Sequence, residues 1–377
     1  MSLDLDDIRR QLPVVDRWIY LDHAGVSPLP TPVMDTVVAS LRSRQQHGKA
    51  ELGATYHSAF SRCRSAAARM LGASAPDVAL TGNTTEGLNV VAQGFPWREG
   101  DNVVTADVEY PSNVHPWLNL RRRGVEVRFV HARGGWLDAQ DIEGALDART
   151  RILALSHVEF VSGQVNDLAR LGAVCRARSV RLVVDAAQSL GALPIDVRAL
   201  GIDALASCGW KWLLGPLGTG LLYCAPGLLD QLSLTFAGLD SMARGELLEY
   251  RFEPRPGAAR FEYSTRDHAS FQGFAAALEW LEHLGPGVQE RVRDNAAHLD
   301  RELRRLGFEV LGEPGGARSG IVSFRGGRLP AEALAARLQE DGVYGCERCG
   351  YVRFSPHFYN TEAELETALA SAARALR

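Results

Sequence analysis

Three short stretches of this 377-residue chain carry side chains whose types and spacing could do chemistry. In "SCGWKWLLGPLGTG" (207–220) a single lysine, Lys211, stands between Trp210 and Trp212. Lysine is rarely buried without a partner. Either its stem packs on the tryptophans while its head reaches water, or the apolar surroundings hold the amine neutral, as a nucleophile toward an aldehyde. In "VRLVVDAAQSLGALPIDV" Asp185 stands where an apolar run ends. There it serves either as a helix N-cap or as a carboxylate for a buried cationic ring nitrogen or a metal. In "TGNTTEGLN" (81–89) Gly82, Asn83, Thr84 and Thr85 come between a strand and a helix. The free N–H groups of that helix start and the two hydroxyls make either a plain cap or an anion cradle.

The surrounding elements must position these side chains. The apolar runs "DVALTG", "DNVVTADVEY", "VEVRFVHA", "RILALSHVEF", "VRLVVDAAQS", "DALASCGWK" and "GTGLLYC" read as strands, with helical stretches between several of them. This alternation implies βαβ units, a mostly parallel sheet and the α/β class. Continuous hydrophobicity fits strands covered on both faces, and in such sheets ligands bind at the carboxyl ends of the strands. "LPTPVMDTVVASLRSRQQ" (29–46) and "SAFSRCRSAAARMLGA" (58–73, ending at Gly72) read as helices. Near residue 285 the pattern changes to a long charged helix, "GPGVQERVRDNAAHLDRELRRLG". Short strands and two covering helices follow, which fits a smaller α+β domain. The expected division is an N-terminal segment (1–28) joining the small domain and the active site, a large domain (29–285) and a small C-terminal domain (286–377).

Composition excludes several classes. A formal net charge of −4 leaves no basic excess for nucleic acid or an anionic membrane. No apolar run is long enough to span a bilayer, and "MSLDLDDIRRQLPVVDRW" lacks the layout of a signal peptide. Six scattered cysteines suit reduced thiols, so a cytoplasmic location is expected. Cys346-x-x-Cys349 has no second pair to complete a metal site, so no metal is expected.

Taken together, a phosphate cradle, a carboxylate for a ring nitrogen and a lysine for an aldehyde are the three handles of pyridoxal 5′-phosphate (PLP). Here the sequence resembles the class V aminotransferase group of fold-type I PLP enzymes. That group includes cysteine desulfurases, isopenicillin N epimerase-like proteins and kynureninases. The resemblance runs from "YLDHAGVSPLP" (20–30) through "GNTTEGLN", "VEYPSNVHPW", "SHVEFVSGQVNDL", "VVDAAQSLGALPIDV", "GWKWLLGPLGTG" and "RFEYSTRDHASFQG" to "VRFSPHFYNTEAELE", nearly the whole chain. It implies a large domain with a mostly parallel seven-stranded sheet sandwiched by helices, plus a small α+β C-terminal domain. It also implies roles. Lys211 forms the internal aldimine, Asp185 pairs with the pyridine nitrogen, and Gln188 touches the ring's phenolic oxygen or the aldimine. Thr84 and Thr85 bind the phosphate. Thr265 looks like the threonine that reaches the phosphate of a neighbouring subunit, which implies a homodimer with shared sites. Arg353 looks like the clamp for the substrate α-carboxylate, a task suited to a planar two-pronged donor. His23 and Arg348 join it as substrate-side candidates.

The departures from the family pattern point away from a standard desulfurase. Trp210 replaces the histidine often found before the lysine, and Cys208 stands where a serine is common. Phe160 occupies the place of an asparagine near the ring oxygen. Tyr110 is the candidate for stacking on the ring, with Pro111 as the alternative. A desulfurase needs a mobile cysteine nucleophile, and "CERCGYVR" leaves only three residues between Cys349 and Arg353, so that loop looks deleted. The expectation is a PLP-dependent enzyme acting on an α-amino acid through a Cα carbanion, by transamination, epimerisation or lyase chemistry. Cysteine desulfurase or selenocysteine lyase-type sulfur transfer is the alternative within the class. A catalytically inactive PLP-fold binding protein is the alternative outside it.

Overall fold

A computed structural model describes residues 3–243, 250–312, 319–374 and 376. Residues 1, 2, 375 and 377, at the ends of the expected 1–28 and 286–377 segments, lie outside the described residues. Thirteen strands are described in chain order: β1 (Ile19–Tyr20), β2 (Val78–Thr81), β3 (Asn102–Ala106), β4 (Glu126–Val130), β5 (Thr150–Ser156), β6 (Arg181–Asp185), β7 (Ala204–Cys208), β8 (Gly220–Cys224), β9 (Glu309–Val310), β10 (Val322–Arg325), β11 (Val343–Tyr344), β12 (Cys346–Arg348) and β13 (Tyr351–Phe354). Each apolar run quoted above coincides with one of the strands β2 to β8, with β5 beginning one residue before its run, at Thr150.

Those seven form one sheet in the order β2-β8-β7-β6-β5-β3-β4. Only β8 runs against the rest, pairing antiparallel with both β2 and β7. Side chains that alternate along the strands divide between two cores. Leu80, Val104, Leu155, Val184, Leu205 and Leu221 face one side. Ala79, Val103, Ala154, Val183, Ala206 and Leu222 face the other. The second face carries smaller side chains, and there the helix Thr84–Gly94 lies close against β7. A Cβ added to Gly87 of that helix would sit 2.9 Å from the Cβ of Ala206.

The four-stranded antiparallel sheet, β12-β13-β10-β9, has its own apolar cluster, built with helices Gly287–Arg305, Ala331–Glu340 and Glu362–Arg374. The Gly287–Arg305 helix serves both cores. Val288 and Val292 pack into the large one, and Ala296, Leu299 and Leu303 into the small one. The N-terminal segment is tied to the small sheet's side: β1 pairs in parallel with β11, and Asp22 bridges to Ser355. The helix read at 29–46 is observed as Thr31–His47, and the helix read at 58–73 as Leu52–Leu71 with Gly72 in the left-handed conformation at its cap.

Because Gly87 sets the distance between the Thr84–Gly94 helix and β7, Gly87→Leu should force the helix outward. The expected cost is about 1–3 kcal/mol, read as a lower midpoint in urea unfolding.

A candidate active site at the carboxyl edge of the sheet

The parallel strands deliver their last residues to one edge. β2 ends at Thr81, β5 at Ser156, β6 at Asp185 and β7 at Cys208, and Ser156 and Asp185 stand side by side in the β5–β6 register. Above this edge opens a cleft of about 760 Å³. Its walls include Thr84, Thr85, Tyr110, Asp185, Gln188, Cys208, Lys211, Arg348 and Arg353. Nine of the eleven expected site residues therefore meet in one cavity, although they come from points spread along the whole chain.

Lys211 lies in the turn between β7 and β8. Gly209 and Gly215 let this turn fold onto Phe274, since a Cβ at either would fall within 3 Å of that ring. The Lys211 ammonium nitrogen lies 5.6 Å from the centre of the Tyr110 ring and makes no ion pair among the described residues. Tyr110, not Pro111, lines the cleft, and its ring is 46% exposed. Phe160 braces it edge-on at 5.2 Å.

Asp185 is 4% exposed. One carboxylate oxygen accepts the Ala187 amide at 2.8 Å, and the other has no partner among the described residues. Burial raises its pKa, opposed by the Ala187 amide and by Lys211. The Ala187 amide and Lys211 compensate this carboxylate only in part, and a protonated ring nitrogen suits its open oxygen.

At the neighbouring helix start the Asn83 side chain accepts the Glu86 amide at 2.8 Å, and Glu86 in return accepts the Gly82 amide at 2.6 Å. The cap thus leaves the amides of Thr84 and Thr85 as the first unpaired donors of the helix, on the cleft wall. The Thr85 hydroxyl donates to Ser112 at 2.7 Å. An anion sits well at such a helix start. Unpaired amides, a buried carboxylate with one open oxygen and an amine without an ion-pair partner match the phosphate, ring nitrogen and aldehyde of PLP.

Arg353, on β13, is 2% exposed. It donates to Asp22 at 3.0 Å and to the carbonyl of Phe160 at 2.9 Å, while its Nε is buried without a partner. Three of its five N–H donors are therefore left without a partner among the described residues, and the side chain lines the cleft. Cys208 at the cleft floor is kept as a neutral thiol, because burial pushes its pKa up.

Two expected residues stand elsewhere. His23 is fully buried outside the cleft wall, with Nδ1 2.8 Å from the Ser355 carbonyl and Nε2 2.7 Å from the Tyr359 hydroxyl. Both ring nitrogens are used, and burial lowers its pKa to about 3, so it offers nothing to a substrate. Its neighbours Ala24 and Gly25 line the cleft instead. Thr265 is exposed on the surface and does not line this chain's cleft.

Sequence reasoning missed two acids, although "VEYPSN" and "SHVEFVSG" both display them. Glu109 is buried, accepting from the Ser156 amide at 2.5 Å, the Ser156 hydroxyl at 2.6 Å and Asn113 at 3.0 Å. Glu159 is 1% exposed; one oxygen accepts from Asn166 at 2.8 Å and the other has no partner. Burial, with repulsion from Asp185, holds Glu109 up to about 7, and burial with repulsion from Glu109 and Asp185 holds Glu159 well above the usual carboxylate range. The two line a smaller cavity of about 330 Å³ with Cys349 and Tyr351, divided from the main cleft by Phe160.

Comparisons with known proteins identify the family and the fold. Residues 19–367 match the family model described as aminotransferase class-V. A probable cysteine desulfurase of Methanothermobacter thermautotrophicus is 32% identical over 388 residues, covering 96% of this chain and 95% of that protein. Among solved structures, C-DES carrying a lysine-to-alanine mutation, with glycine covalently linked to its PLP cofactor, superposes with a TM-score of 0.92 at 28% identity. That match covers 97% of this chain and 98% of C-DES. An apo cysteine desulfurase from Thermococcus onnurineus superposes with a TM-score of 0.89 at 26% identity, covering 98% and 97% of the two chains. The fold is that of a fold-type I PLP enzyme. The chain belongs to the class V aminotransferase family.

Glu159 gives a pH test. Its folded pKa lies above its unfolded value, so the folded state holds a proton that the unfolded state loses, and stability falls as pH rises past the usual glutamate range. Glutamine does not titrate and leaves the Asn166 contact in place. Glu159→Gln should therefore raise the melting temperature at pH 8 and change it much less at pH 5, as read by thermal scans at the two pH values.

Proposed function

We propose that this enzyme cleaves the Cβ–S bond of a sulfur-substituted α-amino acid such as cystine, by proton abstraction at Cα and elimination. The observation that carries this choice is the hairpin joining β12 to β13. It turns in only two residues, Cys349 and Gly350, both with positive φ (52° and 83°). Sulfur extraction by a thiol nucleophile needs a cysteine that can move to the substrate. Cys349 is held on this tight turn beside the smaller cavity. Cys346 donates to Asp22 at 3.1 Å, and its pKa is pushed up to about 11, chiefly by burial. Elimination needs neither thiol. A structural relative, the cystine C-S lyase C-DES, has been solved with its reaction product cysteine persulfide (TM-score 0.91, 28% identity).

In this reading Thr84 and Thr85 hold the cofactor phosphate, Asp185 holds the proton on the ring nitrogen, and Tyr110 covers the ring. Bound there, PLP supplies an electron sink for the pair left at Cα. Arg353 fixes the substrate carboxylate with its free donors, setting which bond at Cα lies across the ring. Lys211 is placed to take the Cα proton. The sulfur on Cβ leaves with the bonding pair, and Arg348 on the cleft wall adds positive charge for it. With cystine, one water is consumed, and the products are pyruvate, ammonia and the persulfide of cysteine.

The second reading is cysteine desulfuration, which the names of the relatives favour. The two are separated by products and by the thiols. Incubation with cystine should release pyruvate and ammonia, and Cys346→Ser and Cys349→Ser should both retain that activity. Sulfide plus alanine from cysteine, lost in either serine variant, would establish desulfuration instead. Lys211→Ala should abolish turnover and the visible absorbance of bound cofactor. Arg353→Lys, which keeps the charge and loses the planar fork, should raise KM about tenfold or more.

The exposed Thr265 and the exposed side chains of Phe236, Leu239, Tyr250, Phe252 and Tyr263 support a homodimer in which Thr265 reaches the partner's phosphate site. Sedimentation should give twice the 41.1 kDa chain mass. The division at 28/29 and 285/286 belongs to the same reading. So does a cytoplasmic location, supported by six cysteines that are all free. No described helix is long and apolar enough to cross a membrane.

A further inference from the structure

Trp212 follows Lys211 directly, is fully buried, and does not line the cleft. We propose that Trp212 is a positioning residue that fixes which end of the Gln188 side-chain amide faces the cleft. The inference rests on the cleft being the PLP site.

Its indole Nε1 lies 3.0 Å from the side-chain oxygen of Gln188. An indole N–H only donates, so the atom facing it must be the amide oxygen. The other end of the same amide is checked independently, because Nε2 of Gln188 donates to the backbone carbonyl of Ala24 at 2.9 Å. A reversed amide would set two donors face to face at Trp212 and two acceptors face to face at Ala24. Both contacts would be lost in a buried place, where unpaired polar groups are costly. The amide nitrogen carries two hydrogens and Ala24 takes one. Gln188, 5% exposed and on the cleft wall, therefore presents its remaining N–H to the cleft as a donor. The phenolic oxygen of PLP is an acceptor that suits it.

The two fixed points of this amide are themselves held in one buried network. The Trp212 carbonyl faces His357 Nε2 at 3.3 Å, and His357 Nδ1 accepts the Phe358 amide at 2.9 Å, which places the imidazole proton on Nε2. The indole packs against His357 at 5.5 Å and His23 at 6.4 Å between ring centres. The Ala24 amide donates to the Ser355 hydroxyl at 3.0 Å, and Ser355 also receives His23 through its carbonyl. Burial holds both imidazoles neutral. His23, which misses the cleft, thus supports the segment that orients Gln188.

The test uses full-length apo-protein titrated with PLP, following the affinity and the pH midpoint of the visible band of bound cofactor. Trp212→Phe keeps an aromatic ring and removes the N–H. It should weaken PLP binding about tenfold and move the midpoint. Gln188→Leu should do the same, and the double variant should be no worse than Gln188→Leu, because both changes act through one amide. Gln188→Glu keeps an oxygen for Trp212 but has no N–H for the cleft, so it should match Gln188→Leu even if Trp212→Phe does not fold. Wild-type affinity and midpoint in Trp212→Phe or in Gln188→Glu, or full additivity in the double variant, overturns the inference while the cofactor site stands. A wild-type protein that takes up no PLP overturns both.

Discussion

Strands that run in one direction must all end on one edge. In this fold that constraint places a strand-end carboxylate, an exposed helix start and a lysine-bearing turn around one cleft. The edge would be of little use without the covering layers. Both faces of the sheet are packed, so Asp185 at the strand end is buried and its burial is compensated only in part by the Ala187 amide and Lys211. The small side chains on one face complete the arrangement. Gly87 against Ala206 draws the Thr84–Gly94 helix onto β7, so the start of that helix and the end of β7 share one wall.

The substrate side of the cleft depends on a different connection. Arg353 belongs to the small sheet, Asp22 to the N-terminal segment and Phe160 to the loop after β5, and the guanidinium ties all three together. A buried ion pair of this kind does not by itself stabilise a fold. Its value here is orientation, since the two occupied donors leave the others in a fixed direction. The same segments carry the His23, His357 and Trp212 packing, so the carboxylate clamp and the lysine turn rest on one set of contacts.

Much of this was legible from local pattern. The seven strand runs, the two helices before β2, of which one ends at Gly72, and the change of pattern at residue 285 all follow from apolar periodicity and glycine placement. Lys211, Asp185 and Thr84 were recognisable because their residue types sit at element ends, and all three line the cleft. Glu109 and Glu159 were not, because an acid in a strand-end loop looks the same whether it faces water or a buried neighbour. His23 was misplaced for the converse reason. A histidine in a motif near the site reads as a ligand contact until its two nitrogens are seen to be occupied by Ser355 and Tyr359.

What the sequence by itself determined is the cofactor chemistry and the α/β sheet that presents it, because both are written in residue type and short-range spacing. What only the tertiary structure decided is which groups are paired and which are left open. Arg353 meets Asp22 across 331 positions of chain, and Trp212 meets Gln188 across 24. No local pattern encodes those meetings. They arise where packed layers bring distant segments within hydrogen-bonding distance and exclude the water that would otherwise satisfy each group alone.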